Sequence, residues 1–318
     1  MNEAKKHTAR GVACTVVGGV CWGFSGTCGQ YLFLHSDVSA LWLTCVRLLL
    51  TGAVLSLLAA ARQPRLFRAV WRRPRDLARL AVYGICGLAL CQFSYMTSIF
   101  WSNAATTTVL QNLSLVFIML LTCLSGRRRP NRREAVSLAL ALAGTYVLAT
   151  GGDPRHMALS PRGLFWGLMT AAAVTIYTLL PRKLLPVWGR EIVTGLGMLF
   201  GGAAVNLAAR SWNDQVHLTR GGWLALGGIL LFGSLLAFPL FMQGLADVGP
   251  VKSSLLAATE PVAAAVFSAV WLGTRFTLPT LLGFACILAT IFLLAGDEGG
   301  EISPSRAGGP VNGKPEES

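Results

Sequence analysis

Apolar stretches of about 20 residues recur along the whole chain, divided by short polar breaks, and they leave it few ways to fold. They fall at 11–34, 38–61, 77–100, 104–124, 134–150, 163–180, 191–209, 222–243, 250–272 and 277–295. Some 20 residues at 1.5 Å rise per residue cross a bilayer core, so ten crossing helices are expected, the fifth and sixth being the shortest. Closed β-barrels also satisfy their backbone in lipid, but they need period-two alternation, which these stretches lack. Composition agrees. Charged residues make up 13% of the chain against about 25% in a soluble domain, so lipid is the expected solvent. The fold class read from the sequence is therefore an all-α integral membrane protein.

The net charge of +13 raises the possibility of nucleic acid, and the placement of the charges argues against it. With the N-terminus placed in the cytoplasm, inside segments hold 21 of the 27 Lys and Arg, outside segments hold 5, and Arg47 lies within a span. That is the positive-inside pattern of a multi-pass inner-membrane protein with both termini cytoplasmic. The anionic lipids of the inner leaflet are the expected partners of these arginines. The loop from Arg62 to Asp76 mixes arginine with Leu66, Phe67, Val70 and Trp71, and reads either as a short interfacial helix or as a solvated basic loop. MNEAKKHTAR (1–10) reads as a cytoplasmic segment before a retained first span, because the run after it is too long for a signal h-region. Residues 297–318, rich in Gly, Pro, Ser and Glu, read as a disordered cytoplasmic tail.

Eight cysteines all sit in apolar runs, with no CxxC and no Cys/His cluster, so no metal, cofactor or disulfide framework is implied. Cys14, Cys21 and Cys28 repeat every seven residues and read as small packing residues at a helix contact.

The chain repeats itself. A shift of 146 residues lays 84–150 on the second half: Gly87 meets Gly233, Leu90 meets Leu236, Val116 meets Val262, and Arg129 meets Arg275. The turn at 125–131 falls on the turn at 271–277. Arg10-Gly11 and Arg162-Gly163 correspond at a shift of 152. The expected domains are repeat one over 11–150, an extracytoplasmic linker over 151–162 and repeat two over 163–296. Five spans per copy is an odd number, so the second copy enters the membrane from the opposite side. Inverted repeats with a midplane site between them are typical of secondary transporters.

Short motifs follow one another in a fixed order along 11–295: Trp22-Gly23, Arg47-Leu48-Leu49, Ser102-Asn103-Ala104-Ala105, and Glu260-Pro261-Val262 followed by Leu272-Gly273. On these residues the chain resembles the EamA family of the drug/metabolite transporter superfamily. The resemblance implies ten helices, cytoplasmic termini, and export or uptake of metabolites such as amino acids. This chain departs from the family pattern with Thr274 in place of Glu, Leu115 in place of Pro, and Arg127-Arg128-Arg129 closing the short turn, so the first half is the more divergent copy.

Ionisable groups at mid-membrane are costly and commonly face a cavity. Glu260 has ~15 Å of helix on either side. Pro261 breaks the helix beside it and frees the carbonyl of Ala257. A carboxylate at a loosened helix is a candidate solute or cation site; the plainer reading is a carboxylate that caps a backbone group. Arg47 is expected to hold a substrate carboxylate, pair with Glu260, or brace its helix by bonding carbonyls. Trp22, Ser25, Gln92, Tyr95, Asn112, Tyr177 and Gln243 are further candidates for substrate binding or coupling, each weighed against ordinary hydrogen bonding inside the bundle. Gln92 and Tyr95 share a helix face, and Tyr95 aligns with Phe241, which suggests a symmetric pair lining a cavity.

The function read from the sequence is a secondary active transporter exporting a small metabolite or drug-like solute by alternating access. Its solute is expected among the third, fourth, eighth and ninth spans, and protons or another ion are candidate coupling partners. An intramembrane enzyme and a membrane sensor or scaffold are the alternatives. No HExxH, GxSxG or Walker A sequence supports catalysis or ATP hydrolysis.

Overall fold

In the computed structural model the chain is described over residues 2–301, apart from 128, 154–156, 211–215 and 249. Among these residues every regular element is helical. The first half holds α1 (Asn2–His35), α2 (Ala40–Arg62), a short α3 (Pro64–Val70), α4 (Pro74–Val82), α5 (Leu90–Trp101), α6 (Ala104–Gln111), α7 (Ser114–Ser125) and α8 (Arg132–Thr150). The second half holds α9 (Pro161–Leu179), α10 (Leu185–Ala209), α11 (Arg220–Leu230), α12 (Ala237–Val248), α13 (Pro250–Ala257), α14 (Thr259–Leu272) and α15 (Leu278–Glu301). Eight of the continuous helical segments are long and apolar enough to cross a membrane, and Leu278–Leu294 is a shorter apolar one. With α8, which packs lengthwise on α15, the bundle has ten crossing helices.

Local chemistry sets the ends. Ser39, Asn103 and Thr219 accept a hydrogen bond from the backbone N–H of Trp42, Thr106 and Gly222, capping α2, α6 and α11. Asn131 and Glu134 form a reciprocal capping box at the start of α8. Pro161 stands in the first turn of α9, where its missing N–H costs nothing. Helix already runs through residues 2–10, so α1 begins within the N-terminal segment and continues into the first span. α3 gives the basic loop a helical core: Val70 is buried and Trp71 meets Phe200 edge-on, with ring centroids 6.5 Å apart. Helix continues through 297–301, and the rest of the expected tail lies outside the described residues.

The repeat is visible in how helices break and in what they touch. The third span is π-helical over Tyr83–Ala89 and the eighth over Leu231–Leu236, at nearly the 146-residue offset. The fourth span breaks at Asn112–Leu113 and the ninth at Ala258, again 146 apart. Pro261 accounts for the second break; the first occurs with Leu115 in its place. Packing obeys the same exchange. α1 packs on α12 as α9 packs on α5, α1 packs on α14 as α9 packs on α7, and α2 crosses α10 as its own counterpart. At that crossing a Cβ on Gly52 would sit 2.8 Å from Leu199 N, and one on Gly195 would sit 2.9 Å from Ser56 N. These reciprocal contacts place α2 on α10 at a shift of 143.

Three apolar clusters hold the bundle. One joins the fourth, fifth, sixth, ninth and tenth spans around Leu110, Leu113, Phe284 and Ile287. A second joins α2, the third span and α10 around Leu48, Tyr83, Trp188 and Leu196. The third joins α1, α2, α5 and α11 around Leu32, Leu43, Met96 and Ile229. Removing one such large side chain costs roughly 2–5 kcal/mol.

Candidate functional site

A cavity of about 200 Å³ lies inside the bundle, where the two halves meet. Arg47 and Thr51 reach it from α2, and Trp22 and Ser25 from α1. The third span contributes Tyr83, Gln92 and Tyr95. Opposite them stand Tyr177 of α9, Thr194 of α10, Phe238 of α12 and Glu260 of α14. Gln111 is the contribution of the fourth span. The lining therefore draws on eight spans: the third, fourth, eighth and ninth, where the solute is expected, and also the first, second, sixth and seventh.

Two of the walls are brought in by backbone features. Gly23 lets α1 lie directly on the start of α14: a Cβ there would stand 2.6 Å from Glu260 O and 2.7 Å from Ala264 N. That contact fixes the turn that carries Glu260. Within the π-helical turn of the eighth span, Gly233 O accepts a hydrogen bond from the Trp22 indole N–H at 3.0 Å. π-Bulges of this kind free backbone groups and recur at functional sites. In the third span the phenol of Tyr95 and the hydroxyl of Thr108 share a hydrogen bond at 3.0 Å.

Of the residues singled out from sequence, Glu260, Arg47, Gln92, Tyr95, Trp22, Tyr177 and Ser25 line this one cavity. Asn112 and Gln243 do not. Asn112 turns back on its own helix, its Nδ2 donating to Thr108 O at 2.9 Å at the break. Gln243 is exposed and donates to Asp247 Oδ1 at 3.1 Å. Phe241 packs on Trp22, ring centroids 5.2 Å apart, and Phe238, the counterpart of Gln92, takes the lining position expected of it. Thr51, Tyr83 and Thr194 were not anticipated. The available signal for Thr51 was its spacing of four from Arg47, which puts both on one helix face.

Arg47 is 7% exposed. Among the described residues it forms neither an ion pair with Glu260 nor a hydrogen bond to a helix carbonyl, and its Nε has no partner. Of its three expected roles, the two satisfied within the protein are therefore not realised. Ser25 Oγ and Thr51 Oγ1 are likewise buried without partners.

The two ends of the bundle differ. At the far end of α1, Gln30 accepts hydrogen bonds from Ala104 N at 3.0 Å and Ser268 Oγ at 3.1 Å, and donates to Thr274 Oγ1 at 3.1 Å. One side chain thus ties both halves together. The counterparts of Gln30 and Ser268, at shifts of 152 and 146, are Arg182 and Thr122, and both are exposed. At the start of α1, Arg10 binds Asp247 through Nε and Nη2, both at 2.8 Å. The Arg10 guanidinium holds the Asp247 carboxyl well below its usual range, at about 2. The symmetric pair is Arg162 and Trp101, where the guanidinium lies 4.6 Å from the ring centroid.

A ten-helix bundle of two five-helix copies around a central cavity that holds Arg47 and Glu260 is the architecture of a membrane transporter. The EamA-like transporter family model matches residues 9–150 and 161–296, one match to each repeat, and the chain belongs to that family. It is 33% identical over 91% of its length to an uncharacterized inner membrane transporter, YicL, of Salmonella typhimurium, of which it covers 96%. It is 26% identical over 72% of its length to an uncharacterized transporter of Archaeoglobus fulgidus, covering 80% of that protein. A solved structure with a TM-score of 0.58 and 21% identity, covering 91% of this chain and 97% of that one, shares the fold.

Proposed function

We propose that this protein is a secondary active transporter that exports a small polar metabolite, an amino acid or related compound, across the inner membrane by alternating access, with both termini in the cytoplasm. The observation that carries this reading is a cavity between the two halves that holds one cationic and one anionic side chain, Arg47 and Glu260, from opposite repeats. Rocking of one copy against the other exposes such a cavity to each side in turn. The Gln30 contacts seal one end of the bundle while their counterparts at the other end are exposed, which supports a conformation closed on one side. By the positive-inside count the sealed end is extracytoplasmic.

The size of the cavity favours a small metabolite. Sites for drug-sized ligands run from about 300 Å³ upward, and this one is about 200 Å³. Glu260 is the group placed to carry a coupling proton or to hold the cationic end of the solute. Purified protein in liposomes preloaded with unlabelled amino acids is expected to accumulate a labelled amino acid by exchange. Chemical conversion of the label, or no accumulation from any amino acid pool, refutes the reading.

A further inference from the structure

We propose that Arg47, Ser25 and Thr51 form a cradle for a solute carboxylate, resting on the reading of the cavity as the transport site. All three are more than nine-tenths buried, all line the cavity, and each has a polar atom without a partner: Arg47 Nε, Ser25 Oγ and Thr51 Oγ1. A buried donor left unmade is costly. Of the seven unpartnered buried polar atoms among the described residues, three belong to side chains that line this one cavity, and together they mark a place for a polar group that the chain itself does not supply.

Two of the groups converge, and the third lies one helical turn from one of them. Arg47 and Thr51 stand one turn apart on α2. Ser25 Oγ and Arg47 Nη2 both approach the space a side chain would fill at Gly233; Nη2 would be 3.2 Å from a Cβ there and Ser25 Oγ nearer still. The glycine in the π-helical turn is what lets these two side chains come so close, since a Cβ there would collide with Ser25. All three groups can donate at once, and Arg47 can only donate. The complement is an anion with several lone pairs. The planar fork of arginine matches a carboxylate in two parallel hydrogen bonds. Glu260, on the opposite repeat, leaves the net charge of the charged lining side chains near zero, which suits a single negative charge carried with a cationic group better than a multiply charged phosphate.

The test uses purified full-length protein in detergent at constant ionic strength, followed by thermal melting. Propionate, its isosteric amide propionamide and inorganic phosphate are titrated against chloride. Propionate is expected to raise Tm in a saturable way, and propionamide is not. Arg47→Gln and Arg47→Lys weaken the propionate response at least about tenfold, the lysine keeping the charge but losing the fork. Ser25→Ala and Thr51→Val weaken it about threefold. Arg190→Gln, at the symmetric position outside the cavity, leaves it unchanged. An equal response to propionamide, a larger response to phosphate, no response to propionate, or a response that survives Arg47→Lys each overturns the cradle. Because exchange in liposomes is measured separately, loss of the cradle with exchange intact leaves the transport reading standing.

Discussion

The two repeats share a frame and differ in what they place on it. At the helix break of the ninth span stands Glu260; at that of the fourth span the equivalent residue is Ser114, buried and outside the cavity lining. Arg47 lines the cavity, whereas Arg190, its counterpart on α10, is exposed. Thr51 and Thr194 are the pair kept alike, and both line it. Gly23 meets the Glu260 carbonyl, and at the mirrored contact the Thr175 hydroxyl donates to the Ser114 carbonyl at 3.3 Å. Symmetry thus sets where the walls stand, and departures from symmetry supply the chemistry. A cavity with the same charge on both halves would repel itself; one with Arg47 and Glu260 on opposite halves holds complementary charges.

The comparison breaks most visibly at Glu260. Glu260→Gln is expected to abolish flux driven by a pH gradient while sparing exchange at equal pH, and Ser114→Ala to alter neither; flux of labelled solute in liposomes measures both. A loss in Ser114→Ala equal to that in Glu260→Gln would make the halves equivalent. Next in size is Gly23. Its new side chain has only backbone and Ala263 to push against, so Gly23→Val costs on the order of 3 kcal/mol, whereas Thr175→Val at the mirrored contact costs about 1 kcal/mol; denaturation in detergent reads the difference.

The turns after the fourth and ninth spans sharpen it further. Gly273 (φ 63°) and Arg127 (φ 47°), 146 residues apart, both adopt the left-handed conformation. Arginine is strained there and glycine is not. Arg127→Gly is expected to stabilise the protein by about 1 kcal/mol and Gly273→Ala to destabilise it by a similar amount, as shifts of opposite sign in Tm. The smallest effect concerns the latches at the helix starts. Asp247 is held at about 2 by Arg10, below the ~3.9 of a free aspartate. Its contribution is therefore complete above about pH 4 and lost as pH falls through about 2. The difference in Tm between wild type and Asp247→Asn should shrink over that window, while Trp101→Leu at the symmetric latch should show no such dependence.

The sequence made the frame readable because lipid demands long apolar helices and because the 146-residue offset repeats the breaks as well as the residues. Glu260 and Arg47 were readable for the same reason, as charges where charge is expensive. Asn112 and Gln243 were misplaced because polarity within a span does not tell which way the helix is rotated. Asn112 instead satisfies itself on Thr108 O, the local bonding by which asparagine competes with helix. The break beside it carries no proline, and so had no sequence marker of its own. The π-helical turns depend on packing between helices, Gly84 against Gly197 and Gly201, and Gly233 against Ser25. The Arg10–Asp247 contact joins residues 237 apart, a pairing that only the folded bundle defines.

All of this depends on the two copies crossing the membrane in opposite senses. Asp37, after the first span, and Lys183, after the sixth, close equivalent turns and are both exposed. In a cysteine-free background, Asp37→Cys and Lys183→Cys are to be labelled with an impermeant maleimide on intact cells. Labelling of Asp37→Cys from outside, and of Lys183→Cys only after permeabilisation, is the predicted result. Labelling of both from the same side would contradict the account.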